Sequence, residues 1–223
     1  MNKHFISWTE WETHILDFFR FILIKLKEEP ELPHMEADKI SKNLNRKLAL
    51  LCKKNIVSWR NEDQNRPELS VICGGRNQPR QEDKTPHSSE HKEPDLQVFA
   101  YTDYQNKIQR HYDIECKRLY KPPSGNCKYY VTDGIQRFMK REYSYGIDVE
   151  SGLMIGYVQS AENQQLSDLI NKNCKKASLP NIMLIGKWEI NGVSEFAQSL
   201  TRIEMNPSNF NLHHFWIDLR DKY

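Results

Sequence analysis

The sequence predicts an α/β fold, a central mixed sheet flanked by helices. Three observations carry that expectation. Near the start, apolar residues return at steps of three and four over two long segments, the mark of amphipathic helices. In the middle, two segments alternate polar and apolar residues, as half-buried strands do. After them the run GLMIGYV at 152–158 is nearly all apolar, which is how a strand covered on both faces reads. One sheet with helical layers accommodates this interleaving.

Taken in order, Trp8, Trp11, Ile15, Phe18, Ile22 and Leu26 form the stripe of a first helix, and Phe19, Phe21, Leu23 and Ile24 widen it. Such a face is core packing, or else a seam for a homodimer or a larger partner. Pro30 and Pro33 end the helix. A second helix is expected over 36–55, with Ile40, Leu44, Leu48 and Leu51 inward. Residues 69–73 offer a short strand, and the polar stretch near 74–93 reads as a loop inserted between strands. At 95–101, Leu96, Val98 and Ala100 face one way while Asp95, Gln97 and Phe99 face the other. At 112–119, Tyr112, Ile114 and Cys116 oppose Asp113, Glu115 and Lys117. A helix is expected over 133–142, capped by Asp133 and carrying Ile135, Phe138 and Met139. The strand at 152–158 follows, then a helix over 162–173 and two strands at 196–203 and 211–219 around a turn containing Pro207. The division expected is an N-terminal helical unit, 1–34, and an α/β domain, 35–223.

The chain has 223 residues, 38% hydrophobic, 28% charged and 11% aromatic. That suits one sizeable core and excludes a collagen, a coiled-coil rod and a membrane-embedded bundle. The net charge of +2 does not by itself announce a nucleic-acid binder, yet residues 105–141 hold 9 Lys and Arg against 3 Asp and Glu. Five cysteines, at 52, 73, 116, 127 and 174, form no CxxC and no even framework, which fits a reducing cytoplasm. The start lacks the apolar core of a signal peptide, and the most apolar run, 15–26, contains Asp17, Arg20 and Lys25 and is too short to span a bilayer. The expectation is a cytoplasmic protein with no membrane partner.

The chemistry is concentrated in Pro94-Asp95 and Glu115-Cys116-Lys117. Glu115 and Lys117 are two apart on a strand and share a face. In an antiparallel hairpin Asp95 and Glu115 come within reach of one metal ion. Two carboxylates, the Cys116 backbone carbonyl and waters suit a hard cation such as Mg2+, with Mn2+ as a substitute. Lys117 beside them is placed to orient or deprotonate a water and to offset negative charge.

This arrangement resembles the PD-(D/E)xK nuclease superfamily, the restriction-endonuclease-like enzymes, through Pro94-Asp95 and the ExK of YDIECKRLY. The resemblance covers about residues 36–160. It implies a core of helix, three strands, helix and strand, with Mg2+-dependent cleavage of DNA, endonucleolytic in preference. It also implies an acidic residue on the first core helix, for which Glu36 is the candidate and Glu68 the second choice. The runs GIQRF and GLMIGYV are similar to members associated with phage defence. Arg118, Lys121, Lys128, Arg137, Lys140 and Arg141 are candidates for the substrate cleft. Lys121 and Lys128 flank the loop PPSGN, and Arg137 and Arg141 are four apart on the expected helix. Phosphate contacts of this kind give affinity without sequence choice.

Weaker signals point elsewhere. His213 and His214 are adjacent on a strand, face opposite ways and make a poor metal pair; at least one is expected to pack. His87 and His91 read as loop histidines, and the Cys116 thiol as a small core group. The alternatives to a nuclease are a non-catalytic nucleic-acid-binding or assembly protein on the same fold, and a helper subunit docked through its first helix.

Overall fold

The computed structural model describes residues 7–32, 40–74, 93–103, 108–120, 126–160 and 162–222. Ser7 opens helix α1 (Trp8–Glu28) by accepting the Glu10 N–H on its hydroxyl at 3.2 Å. The three–four stripe then does what its spacing requires. Trp11, Ile15, Leu16, Phe18, Phe19, Ile22, Leu23 and Leu26 are all buried. Helix α2 (Ile40–Glu62) packs beside it through Leu44, Leu48, Leu51, Cys52 and Trp59. Trp59 is fully enclosed, with its Nε1 donating to Asp17 at 3.3 Å and the Arg66 guanidinium over its ring at 4.6 Å.

Seven strands among the described residues form one mixed sheet: β1 (Ser70–Cys73), β2 (Leu96–Asp103), β3 (Ile108–Leu119), β4 (Ser151–Val158), β5 (Met183–Ile185), β6 (Val193–Thr201) and β7 (Asn209–Asp218). Their order across the sheet is β1-β2-β3-β4-β7-β6-β5. The first three form an antiparallel meander; β4 runs parallel to both its neighbours, β3 and β7, and β7, β6 and β5 are antiparallel again. Strand β4 is buried along its whole length, as its composition predicts. Helices α1 and α2 cover one face over Leu96, Val98, Ile114, Leu153, Ile155, Phe215 and Ile217. Helices α3 (Asn126–Thr132) and α4 (Asn163–Lys176) belong to the core on the other face, with Met154, Val158, Leu212 and Trp216. No helix among the described residues is long and apolar enough to cross a membrane.

The aromatic face of the first helix, expected to meet either the core or a partner, packs into a core that α1 and α2 share. The structure departs from the sequence reading in two places. The helix expected over 133–142 is absent. Helix α3 begins seven residues earlier, burying Cys127, Tyr130 and Val131, and Asp133 lies in its closing turn, its N–H on the Tyr129 carbonyl at 2.9 Å. A side chain at Gly134 would collide with the Tyr130 carbonyl and the Met154 methyl, and the chain continues instead into a 3-10 turn, Ile135–Phe138. The short edge strand β5 is absent from the elements expected; its pattern of exposed Met183 and Ile185 carries no inward alternation longer than one residue. The polar insertion and its histidines, His87 and His91, lie outside the described residues.

Candidate active site

The register of β2 and β3 builds the site. Leu96 pairs with Ile114 and Gln97 with Asp113, so β3 runs on past the first residue of β2. Beyond that point Asp95 continues the ladder with its side chain, Oδ2 accepting the Cys116 N–H at 2.8 Å. Asp95 is itself tied to β1, its carbonyl accepting the Gly74 N–H at 3.1 Å. Buried Pro94 fixes the approach to this position.

Beside Asp95, on the face of β3 that carries Asp113 and Lys117, lies Glu115, wholly buried. Its Oε1 accepts from both Lys117 Nζ and Arg137 Nη1, the latter at 2.9 Å. Its Oε2 is buried and has no hydrogen-bond partner. Lys117 Nζ also lies 3.4 Å from the Cys116 carbonyl, which places that oxygen on the same side. Burial foremost, then the neighbouring Asp95 charge, pushes the Glu115 carboxyl up to about 7, against the opposing pull of Lys117 and Arg137.

A second ring of contacts surrounds Arg137. Arg137 Nη1 reaches Tyr145 Oη at 3.3 Å, and its guanidinium lies 5.7 Å and 5.9 Å from the rings of Tyr143 and Tyr145. The segment bearing Tyr145 is pinned from two sides. Asp113 Oδ2 accepts the Gly146 N–H at 2.7 Å, while Gln97 Nε2 donates to Asp113 Oδ1 at 2.7 Å. From the interior, fully buried Arg202 donates to the Tyr145 and Gly146 carbonyls at 3.2 Å and 3.1 Å and to Pro207 at 2.8 Å. Gly146, at φ +65, is where this clamp needs a left-handed residue, and a side chain there would strike the Phe210 ring.

Asp95, Glu115 and Lys117 are thus brought together, and Arg137 joins them as a partner of Glu115. The Cys116 thiol points to the opposite face, and burial first pushes it well above the ordinary thiol range, so only its carbonyl belongs to the site. Arg118 is buried on that opposite face, its Nε donating to Gln159 at 2.7 Å, and it does not reach the carboxylates. Lys128 is exposed on α3. Lys140 and Arg141 are exposed on turns, not on one helix face with Arg137, and border an open groove of about 490 Å³ that Glu142 and Glu204 also line. Glu68 is exposed and pairs with Arg60 at 3.6 Å. Glu36 and Lys121 lie outside the described residues.

Asp113 was visible in the sequence, in phase with Glu115 and Lys117; its role as an anchor for Gly146 was not. Tyr145 and Arg202 come from distant segments and left no local signal. Of the histidines, His214 is buried with Nδ1 3.0 Å from Tyr130 Oη, burial holding it down to about 3, and His213 pairs with Glu12 at 3.0 Å. Among the described residues no group of three or more His, Cys, Asp or Glu is placed to hold a metal ion. A cation at this site would therefore rest on Asp95, Glu115 and the Cys116 carbonyl. The unpartnered Glu115 Oε2 fits that use, and Mg2+ suits it because it keeps several waters and asks few protein ligands. No protein-family model, curated protein or solved structure matches this chain.

Proposed function

We propose that this protein is a Mg2+-dependent nuclease that hydrolyses phosphodiester bonds in DNA, with Asp95, Glu115 and Lys117 at the reaction centre. One observation carries the reading. Two adjacent strands bring a buried carboxylate, a second carboxylate and a lysine into one cluster that is not closed on itself, since Glu115 Oε2 stays unpartnered. A buried carboxylate oxygen without a partner is uncommon, and a ligand taken there accounts for it.

The order of elements supports the reading too. Helix α2, the meander β1–β3, α3 and β4 follow the sequence of helix, three strands, helix and strand that the PD-(D/E)xK resemblance implies. Asp95 and Glu115 would hold the cation with the Cys116 carbonyl, and Glu36 is the proposed further acid. A Mg2+ ion held by these groups would supply charge neutralisation at a phosphate oxygen and would lower the cost of making hydroxide. The backbone bond from Cys116 to Asp95 keeps the two carboxylates together. Lys117 Nζ, once off Glu115, orients the attacking water, takes part in moving its proton and offsets charge on the phosphorane-like transition state. Lys128, Lys140 and Arg141 supply non-specific phosphate contacts in the basic stretch of the chain. Five free cysteines support a reducing, cytoplasmic setting.

A second reading, binding without cleavage on the same fold, is favoured by the two cations already seated on Glu115 Oε1. Cleavage assays separate the two. Wild type, Asp95→Asn and Lys117→Ala are incubated with linear and circular DNA in Mg2+ or Mn2+. Cleavage by wild type alone is expected, and a cut circle identifies an endonuclease. Folded variants that cleave like wild type would remove these residues from the mechanism. Salt-sensitive binding with no metal-dependent turnover would favour the second reading.

A further inference from the structure

At two other places in this chain arginine and carboxylate meet in the two-pronged geometry that makes such pairs strong. Arg20 donates from Nε to Glu195 Oε1 at 2.5 Å and from Nη2 to Oε2 at 2.9 Å. Arg220 reaches both oxygens of Asp218 from Nε and Nη2. Arg137 and Glu115 do not pair in this way. Lys117 and Arg137 crowd onto Oε1, while Glu115 Oε2 and Arg137 Nε are both buried and without a hydrogen-bond partner. An unmet acceptor suits a cation and an unmet donor suits an anion. A divalent cation carrying a phosphodiester supplies both at once.

We propose that Arg137 is an exchangeable counter-ion, neutralising Glu115 until a divalent cation takes the carboxylate and a nucleic-acid phosphate takes the guanidinium. The proposal rests on reading Asp95 and Glu115 as a cation site. The surroundings suit a side-chain exchange on a fixed backbone. The Arg137 side chain is 28% exposed, and among the described residues its hydrogen-bond and ring contacts besides Glu115 are the Tyr145 hydroxyl and two tyrosine rings at more than 5 Å. Its backbone is held at the neighbouring Phe138 carbonyl, which accepts from Arg202 at 3.4 Å, and across the turn at Tyr145 and Gly146. The guanidinium can therefore turn outward without unseating the turn. Coupling follows by linkage. A phosphate that draws Arg137 away tightens cation binding by the same factor by which the cation tightens phosphate binding.

The test is Mn2+ binding by the full chain, read from the electron paramagnetic resonance of free Mn2+, with and without a short phosphorothioate duplex that resists cleavage. Wild type, Arg137→Gln and Arg137→Lys are compared. Without DNA, Arg137→Gln is expected to bind Mn2+ about tenfold more tightly than wild type, since one competing positive charge is gone. Arg137→Lys keeps the charge and is expected to bind like wild type, which separates charge from packing. Adding the duplex is expected to tighten Mn2+ binding about tenfold in wild type and little in Arg137→Gln. Equal Mn2+ affinity in wild type and Arg137→Gln overturns the counter-ion role and leaves the cation site standing. A duplex that leaves wild-type Mn2+ affinity unchanged overturns it without any variant, should Arg137→Gln not fold. Absence of Mn2+ binding throughout overturns the cation site, and the counter-ion with it.

Discussion

Glu115 sets the chemistry at the scale of single residues. Its carboxyl, ordinarily near 4.5, is carried up to about 7, mainly by burial and then by Asp95. A group raised in this way contributes stability that is fully present below pH 4.5 and lost as pH rises through about 7. Glu115→Gln does not titrate, so relative to wild type it is expected to gain roughly 3 kcal/mol across that window. Urea denaturation at pH 5 and pH 8 without divalent cations reads this gain. A difference independent of pH would contradict the burial account. Lys117→Ala is expected to lower cleavage at least about 100-fold while keeping the fold, because the lysine is 20% exposed and Arg137 remains on Glu115. Circular dichroism beside a single-turnover assay reads both. At this scale Asp95, Glu115 and Lys117 were legible, since a period of two fixes a strand's faces from the sequence alone. Arg137 was legible as a basic residue, but its partner was not, because the turn that aims it is decided by tertiary contacts from Asp113 and Arg202.

Elements show where local reading holds and where it fails. Helix α1 was plain in the sequence, but its destination was open, because an apolar face looks alike whether it meets a core or a partner. Its eight buried side chains settle the matter, each worth about 1.5–3 kcal/mol of transfer. That sum, about 12–24 kcal/mol, is as large as or larger than the net stability of an ordinary domain, about 5–15 kcal/mol. Deleting residues 1–28 is therefore expected to yield an unfolded or aggregated chain, with loss of the cooperative thermal transition. A folded truncated protein would return α1 to the role of a docking arm. The misplaced helix at 133–142 has a different origin. Asp133 followed by spaced apolar residues imitates an N-cap, whereas the space beside Tyr130 and Met154 admits only glycine at 134. Gly134→Ala is expected to destabilise the fold by about 1–3 kcal/mol, as overpacking does, and to lower the thermal midpoint. An unchanged midpoint would show that the turn relaxes freely.

At the scale of the whole molecule, the described residues form two hydrophobic cores on either side of one seven-stranded sheet. Strand alternation announced both faces, and the buried run at β4 announced the centre. The order of strands across the sheet was not legible, since β7 reaches β4 only through pairings distant in sequence. What the architecture does for function is local. Strand β3 outruns β2, and Asp95 closes the gap with a side chain, so the carboxylates meet at the end of a ladder fixed by the sheet. The central claim is that this junction cuts phosphodiester bonds. It is tested most directly by single-turnover cleavage of closed circular duplex DNA by purified wild type and folded Lys117→Ala, in Mg2+ and in chelator. Cleavage only by wild type and only in Mg2+ is the expected result. Equal cleavage by the two proteins, or none by either at saturating DNA and Mg2+, would contradict it.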